Sequence, residues 1–278
     1  MDDIGEWSEQ KLELLKLYLE PYCKIVGGNT STFKCISFID GFSGPGCHHR
    51  RTNNEEIIDG SPLLALQNNR FTEFHFVEAS KLVIDELQQT IIHRFPYKQN
   101  IIKYYNNDCN LAIPEILKSL NSKYDKWTGL VLLDPYKTNI NWELIENIGQ
   151  HKSLDVILNF SIMDIQRRFG HITSDTIYEK SMKDANDFFG TPEWFKIGYE
   201  KRVIDLTKGE QYVKIKDFEE KILEFYARRL KQRAGFNFVS NPLPFRNSQN
   251  AKVYYILIMS HHYLGNNLIE WANKKFIK

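Results

Sequence analysis

The sequence predicts a doubly wound α/β fold, in which helices cover both faces of a mostly parallel sheet. Short apolar runs alternate with helical patterns over the first 160 residues, which is typical of repeated strand–helix units. Several of these runs carry apolar residues on both faces, as expected of the strands of a buried parallel sheet. The length of 278 residues suits one large domain spanning residues 1–278, since single cores of this size are common.

Five strands and the helices between them follow from this alternation. The strands are predicted at residues 34–39, 74–78, 101–105, 130–134 and 155–160. A leading helix is predicted over residues 7–22, with Ser8 as its N-cap, because Leu12, Leu15 and Leu19 recur at helical spacing. A second helix is predicted with Ser61 as its N-cap and Pro62 as its first residue. Further helices are predicted at residues 81–95, 110–120 and 142–149.

The last third of the chain has a different pattern. Residues 217–234 form an amphipathic helical pattern, and residues 236–241 and 253–260 are predicted strands joined by a loop. This pair would complete a seven-stranded, mostly parallel sheet with a terminal antiparallel hairpin. Residues 164–211 are predicted to be a helical insertion. Two interpretations remain open for it, a cap on the substrate side and a segment that packs over the sheet edge.

Composition excludes few classes of function. The net charge is +1, so a nucleic-acid substrate would need a local basic patch. The first residues lack the pattern of a signal peptide, and no apolar stretch approaches the ~20 residues of a membrane span. We therefore expect a cytoplasmic protein without a membrane contact. The four cysteines show no CxxC spacing, and Cys47-His48-His49 lacks a second ligand pair, so no metal site is expected.

The strongest local signal is a loop with three glycines after the first predicted strand. Asp40, Gly41, Phe42, Gly44 and Gly46 belong to it and are the first candidate cofactor-binding residues. Glycines let backbone N–H groups approach a ligand closely. A dinucleotide loop would run directly into a helix, whereas a polar stretch over residues 47–60 intervenes here. The acidic residue favours a cationic, amino-acid-like ligand, and an ordinary β-turn is the alternative.

The next two strands also end in acidic residues. Glu78 closes the second strand, where a carboxylate accepts hydrogen bonds from both hydroxyls of a ribose. Asp108 follows the third strand, where it could accept from an adenine amino group. The alternatives are a surface glutamate and an Asn-Asp turn. Because the carboxyl ends of parallel strands share one edge of the sheet, these acids and the glycine loop are expected to converge.

The fourth strand ends in Asp134-Pro135-Tyr136, the candidate catalytic element. A carboxylate beside a backbone carbonyl offers two acceptors to an exocyclic amine, and Tyr136 could stack on the ring that carries the amine. Such an arrangement would work mainly by positioning the nitrogen. A strand-terminating turn is the alternative. Asn159 and Phe160, at the end of the fifth strand, are candidates for binding the substrate.

The sequence resembles the three-Cys-motif partner (TcmP) family, a bacterial group of methyltransferase-like proteins, over nearly its whole length. The matching features are Trp7 in the leading helix, residues 39–46, Gly60-Ser61-Pro62, Val77-Glu78, Asp134-Pro135-Tyr136, Phe189-Gly190, Trp194, residues 254–257, Ser260 and His261. The resemblance implies a Rossmann-like class I fold, S-adenosylmethionine as cofactor and a partner protein that carries three cysteines. Asp134-Pro135-Tyr136 is also similar to the Asp-Pro-Pro-Tyr element of amino-directed DNA and RNA methyltransferases, without the second proline.

These observations together predict an S-adenosylmethionine-dependent methyltransferase that acts on an exocyclic amine of a nucleic-acid base. Two other functions remain open. One is a non-catalytic, methyltransferase-like subunit that binds another protein. The other is a methyltransferase that acts on a small molecule or a protein, which the near-neutral charge would suit.

Overall fold

The computed structural model describes residues 3–28, 32–51, 53–170, 179–205 and 209–276. The strands are β1 (Asp3–Ile4), β2 (Cys35–Asp40), β3 (Cys47–Arg50), β4 (Asn53–Asp59), β5 (Glu73–Val77), β6 (Ile102–Tyr105), β7 (Trp127–Leu133), β8 (Leu154–Phe160), β9 (Tyr199–Asp205), β10 (Gly209–Lys214), β11 (Phe238–Val239), β12 (Leu243–Arg246) and β13 (Lys252–Ser260). The helices are α1 (Glu6–Gly27), α2 (Ser61–Leu66), α3 (Lys81–Arg94), α4 (Cys109–Lys123), α5 (Trp142–Gln150), α6 (Ile162–Phe169), α7 (Glu179–Phe189), α8 (Glu193–Gly198), α9 (Phe218–Gln232) and α10 (Tyr263–Phe276), with a 3₁₀ turn at Pro96–Ile101.

The central sheet confirms the predicted fold class. Its parallel part has the strand order β6-β5-β2-β7-β8, and β13 is inserted antiparallel beside β8. Both β11 and β12 pair antiparallel with β13 and together occupy the edge position, so the predicted terminal hairpin is present. Pro242 lies in the gap between β11 and β12, and Pro244 lies within β12 opposite Tyr255, as expected at a sheet edge, because proline cannot donate to a ladder.

Helices cover both faces of this sheet. Along β7, Leu130 and Leu132 face one core cluster, while Val131 and Leu133 face the other, as the two-residue period of a strand requires. The first cluster is completed by α1, α2, α3 and α10, and the second by α4, α5 and the helices from α6 to α9. The strands are therefore buried on both sides, which explains their continuous apolar runs.

Two predicted helix starts are corrected. Helix α1 has Gly5 as its N-cap and begins at Glu6, before the predicted cap at Ser8. Helix α2 has Gly60 as its N-cap, and Ser61 is its first residue. The hydroxyl of Ser61 donates to the carboxylate of Asp40 at 2.6 Å, so this side chain serves the loop rather than the helix terminus.

The polar stretch after the glycine loop is a β-hairpin that the sequence did not reveal. Strands β3 and β4 pair antiparallel, and β1 adds to β3 in parallel, forming a small three-stranded sheet. The amide of Gly60 donates to the carbonyl of Gly46 at 2.7 Å and closes the base of the hairpin. The chain therefore leaves the loop, runs through the hairpin and returns with Ser61 beside Asp40.

The predicted insertion at residues 164–211 contains helices and an antiparallel strand pair, β9 and β10, in its described part. Phe189 and Trp194 from this segment are fully buried in the second core cluster. The cap over the substrate stays a prediction. In the described part of the chain, no helix is both long and apolar enough for a bilayer span.

Candidate cofactor and acceptor site

A cleft of about 340 Å³ lies at the carboxyl ends of β2, β5, β6 and β7. This is the edge at which open α/β sheets bind their ligands. The walls include predicted site residues from four strand ends, namely Gly41, Phe42, Gly44, Glu78, Asp108, Asp134 and Tyr136. Helix α1 and the β3–β4 hairpin close the cleft on the other side, with Ser8, Lys11, Leu12 and His48. The structure thus brings most of the predicted cofactor and acceptor residues to one continuous surface.

Both Gly41 and Gly44 line the cleft, and Gly44 is the one with open space in place of a side chain. Its φ of +60° lies in the left-handed region, which side chains rarely adopt. A Cβ at this position would come no closer than 3.9 Å to another atom, the Cε1 of His48, so the backbone here borders open space. The Gly44 amide donates to Glu78 Oε2 at 3.3 Å and ties the loop to the next strand end.

Gly46 has a structural role instead of the predicted cofactor contact. It does not line the cleft, and its φ is +84°. A Cβ there would come within 2.6 Å of Leu87 Cδ1, and its carbonyl closes the hairpin base at Gly60. Gly46 is needed for the turn and for packing against α3, which sequence alone could not separate from ligand binding.

Asp40 is also corrected from a direct ligand contact to a positioning residue. Its side chain is fully buried and is not part of the cleft wall. Oδ1 accepts from the Phe42 amide at 3.0 Å, and Oδ2 accepts from the Ser61 hydroxyl. Burial raises the pKa of Asp40 to about 7 although both hydrogen bonds favour the ionised form, and the charges of Asp134 and Glu78 raise it further. Asp40 therefore acts on the cleft through Phe42 and Ser61, which both line it.

Glu78 and Asp108 both line the cleft, and their predicted contacts with a nucleoside stay a prediction. Glu78 Oε1 accepts from the Ser80 amide at 2.9 Å, which fixes the carboxylate at the tip of β5. Asp108 is the N-cap of α4, with Oδ1 accepting from the Asn110 amide at 2.8 Å. Both carboxylates keep acceptor capacity beyond these bonds, since each carboxylate oxygen has two lone pairs.

Asp134 is held by a lysine that the sequence analysis did not identify. Lys11 Nζ lies 2.6 and 2.7 Å from the two carboxylate oxygens, and Asn159 Nδ2 donates to Oδ1 at 2.8 Å. Asn159 also donates to the Pro135 carbonyl at 3.3 Å. Lys11 is 123 positions away in the chain, but it lies four residues before Leu15 on the apolar stripe of α1. A lysine on a buried stripe is the signal that could have revealed it.

The other acceptor candidates differ in how far their side chains are exposed. Tyr136 is 77% exposed at the rim of the cleft, where its ring is accessible to a ligand. Asn159 lies beneath Asp134 and is almost fully buried. Phe160 is fully buried in the core, with its ring centroid 4.9 Å from that of Tyr226, so its predicted contact with substrate is wrong. It points to the opposite face of β8 from Ile157.

Two further predictions concern the segment at residues 164–211 and a metal site. No described residue between 164 and 211 lines the cleft. Within the described ranges, no group of three His, Cys, Asp or Glu side chains is arranged to hold a metal ion.

Comparisons with known proteins concern the fold. No family model matches the chain, and no curated protein matches it. Among solved structures, the chain is similar to protein LPL1258 of Legionella pneumophila, at 10% identity over 95% of this chain and 91% of that chain, with a TM-score of 0.48. It is also similar to the methyltransferase domain of bacterial CtHen1, at 12% identity over 87% and 99%, with a TM-score of 0.41. A third is the glycopeptide N-methyltransferase MtfA complexed with sinefungin, at 10% identity over 87% and 93%, with a TM-score of 0.36.

The strand order decides the fold. Five parallel strands are followed by an antiparallel strand inserted before the edge. The chain has the Rossmann-like fold of class I methyltransferases. The resemblance to the three-Cys-motif partner family remains a prediction, since no family model matches.

The cleft residues fit the cofactor of this fold, S-adenosylmethionine. The cofactor carries a sulfonium, an ammonium and a ribose diol, so it needs acidic acceptors and a close backbone approach. Glu78, Asp108 and Asp134 supply carboxylates at the wall, and Gly44 supplies backbone without a side chain. The one described lysine of the wall, Lys11, is paired with Asp134 and adds no free positive charge.

Proposed function

We propose that this protein is an S-adenosylmethionine-dependent methyltransferase that acts on an exocyclic amine of a nucleic-acid base. The observation that carries the proposal is the shared cleft. The cofactor candidates Gly44, Glu78 and Asp108 line one cavity with Asp134 and Tyr136 of the acceptor element, so a methyl donor and an amine could meet there.

The cofactor half of the cleft would hold the ligand through three contacts. The loop around Gly44 offers backbone to the methionine part, Glu78 accepts from the ribose hydroxyls, and Asp108 accepts from the adenine amine. Asp40 keeps the loop and Ser61 in place from below. When bound, S-adenosylmethionine supplies a methyl group activated by the adjacent sulfonium.

The acceptor half would orient the amine. Asp134 accepts one N–H and so directs the nitrogen lone pair, and its carboxylate can take the proton that the methylated nitrogen releases. Tyr136, exposed at the rim, would stack on the base that carries the amine. Lys137 follows it at the surface and is suitably placed for a phosphate. These features favour a base over a small apolar molecule, which would prefer an enclosed pocket.

Calorimetry with S-adenosylmethionine and with its demethylated product tests the cofactor half. We expect micromolar binding, and we expect Glu78→Gln to weaken it about tenfold or more, because a charged hydrogen bond is lost. Glu115→Gln is the matched control, since Glu115 is exposed on α4 outside the cleft. Absence of binding to either ligand would refute the proposal and favour a non-catalytic subunit that binds a three-Cys-motif protein.

Transfer of a radiolabelled methyl group to single-stranded DNA, RNA and free amines tests the acceptor half. Asp134→Asn should retain cofactor binding and lose transfer. Unchanged turnover in this variant would show that Asp134 only terminates the strand. Labelling of small molecules or proteins without labelling of nucleic acid would replace the proposed acceptor by one of the other two classes.

A further inference from the structure

The Lys11 ammonium lies where the proposed function requires the acceptor amine. It is a primary amine group within 2.7 Å of both Asp134 oxygens. The same nitrogen lies 4.8 Å from the centroid of the Tyr254 ring, a distance at which an aromatic face attracts a cation. The Lys11 side chain is only 13% exposed, and Lys11 lines the cleft together with Gly44 and Glu78.

Asn159 provides a second, independent observation. Its Nδ2 donates to Asp134 and to the Pro135 carbonyl, which fixes the orientation of the amide. Its Oδ1 is buried and has no hydrogen-bond partner among the described residues. Asn159, Asp134 and Lys11 share a small cavity of about 20 Å³ that adjoins the cleft. Leaving a buried acceptor without a donor costs free energy, so a ligand group with N–H or O–H would be favoured beside it.

The aromatic ring of Tyr254, which lies beside the Lys11 ammonium, is held in place. The Tyr254 hydroxyl donates to the Trp7 carbonyl at 2.7 Å, so the ring cannot swing away without breaking a largely buried hydrogen bond. Its ring also stacks on Phe245 at a centroid distance of 5.4 Å. The cluster therefore consists of two hydrogen-bond acceptors and an aromatic face, with Lys11 as its internal donor.

We propose that Asp134, Asn159 and the Tyr254 ring form a subsite for a primary amine, and that Lys11 occupies the Asp134 side of it until an acceptor amine replaces it. The inference rests on the proposed function and specifies its acceptor. A primary amine has two N–H groups for the two acceptors, Asp134 and Asn159 Oδ1. A hydroxyl has one donor, and a methylated amine has one donor fewer than its precursor. The subsite is thus matched to –NH₂ and poorly matched to the product.

The subsite can be tested before its acceptor is known, by adding a small amine to a variant in which the Lys11 side chain is shortened. Lys11→Ala removes three methylenes and the ammonium, the size of one propylammonium ion. We expect this variant to melt about 2–4 °C lower than the wild type. Millimolar propylammonium should restore most of the loss, whereas sodium chloride and tetramethylammonium, which has no N–H, should not. An equal response to propylammonium and tetramethylammonium, or the same response in the wild type, would overturn the proposal.

A second measurement on the wild type covers the case in which Lys11→Ala does not fold. Acetylation of Lys11 by an amine-reactive ester, followed by peptide mass spectrometry, reports its release from Asp134, and exposed Lys16 on the same helix is the internal reference. Adenosine and cytidine should increase Lys11 acetylation several-fold relative to Lys16. Uridine and N6,N6-dimethyladenosine, which lack –NH₂ on the base, should not. An unchanged Lys11 rate with every nucleoside would contradict displacement.

Calorimetry with S-adenosylmethionine separates the two proposals. If the wild type binds no cofactor but Lys11→Ala is refilled by propylammonium, the amine subsite stands and the methyltransferase function fails. If the cofactor binds and propylammonium has no specific effect, the function stands and the subsite fails.

Discussion

Two buried carboxylates at opposite ends of the sheet have opposite electrostatic environments. Glu73 is the first residue of β5, and Asp40 is the last residue of the neighbouring β2. Glu73 accepts hydrogen bonds from Lys103 at 2.6 Å and Lys123 at 2.7 Å. Burial alone would raise the pKa of Glu73, but these bonds, with those from His75 and Tyr124, outweigh burial and hold it well below its usual range. Asp40 has only an amide and a hydroxyl as hydrogen-bond donors in the described structure.

The end of the sheet with Glu73 carries compensated charge and stabilises the fold, whereas the end with Asp40 would bind ligands. A buried carboxylate that is paired with lysines is stable in its ionised form. When a carboxylate is buried without a nearby cation, burial disfavours the ionised form. The pKa of Asp40, raised to about 7, is the consequence at the cleft. A cationic ligand bound above Asp40, such as S-adenosylmethionine, would supply the missing compensation.

The largest effect is expected at Glu73. Glu73→Gln should lower the free energy of unfolding at pH 7 by about 3 kcal/mol, because two lysines lose a buried partner. Since the pKa of Glu73 is lower in the folded state, its contribution is present above the unfolded pKa near 4.3 and is lost as the pH falls. Urea unfolding at pH 7 and pH 4 measures both. A loss below about 0.5 kcal/mol at pH 7 would mean that these are ordinary surface ion pairs.

Asp40→Asn should raise the free energy of unfolding at neutral and higher pH, whereas Glu73→Gln lowers it. A folded pKa of about 7 means that the stability contribution of Asp40 is lost as the pH rises from about 4 to 7. The variant should therefore be about 2 kcal/mol more stable than the wild type at pH 8, after the altered bond to Ser61 is included. The two proteins should converge below pH 4. Cofactor affinity should fall in the variant, and lower stability at pH 8 would show that Asp40 is ionised at little cost.

The two glycines of the loop sharpen the comparison within the cleft. Gly46→Ala should cost about 1–2 kcal/mol, because the left-handed backbone is strained and the new Cβ meets Leu87. Gly44→Ala should cost about 1 kcal/mol, from the backbone alone. Thermal unfolding gives the stabilities, and calorimetry should show the larger loss of cofactor affinity in Gly44→Ala. The reverse ranking in affinity would return Gly46 to the binding surface.

The smallest change in stability is expected at the rim. Tyr136→Ala should alter the free energy of unfolding by less than about 0.5 kcal/mol, because the side chain is mostly exposed. Methyl transfer to nucleic acid should nevertheless fall, while cofactor binding is retained. Tyr136→Phe is the control and should keep the stacking surface. Equal transfer in all three proteins would exclude a stacking role.

The sequence was sufficient where local pattern determines structure. Consecutive apolar runs located β2, β5, β6, β7 and β8 to within a few residues, and their shared direction placed Glu78, Asp108 and Asp134 at one edge. The β3–β4 hairpin was not predicted because its strands are polar and depend on pairing with each other and with β1. Local pattern also cannot show whether a loop residue faces inward.

The site itself was predicted in part. Glu78, Asp108, Asp134 and Tyr136 line the cleft as expected, but Asp40 and Gly46 face the protein interior. The pairing of Lys11 with Asp134 depends on how α1 packs across the sheet, which no local pattern encodes. Its only trace in the sequence is a lysine on an apolar stripe.

The bond between the Trp7 carbonyl and the Tyr254 hydroxyl joins two parts of the chain that are 247 positions apart, so it can form only after β13 has been synthesised. The strand ends that carry the cofactor candidates are complete once residue 134 has been synthesised, whereas the ring beside Lys11 arrives only with β13. During translation, the part that would bind the methyl donor precedes the part that would select the amine. A chain cut before β13 would lack the aromatic ring that lies beside Lys11.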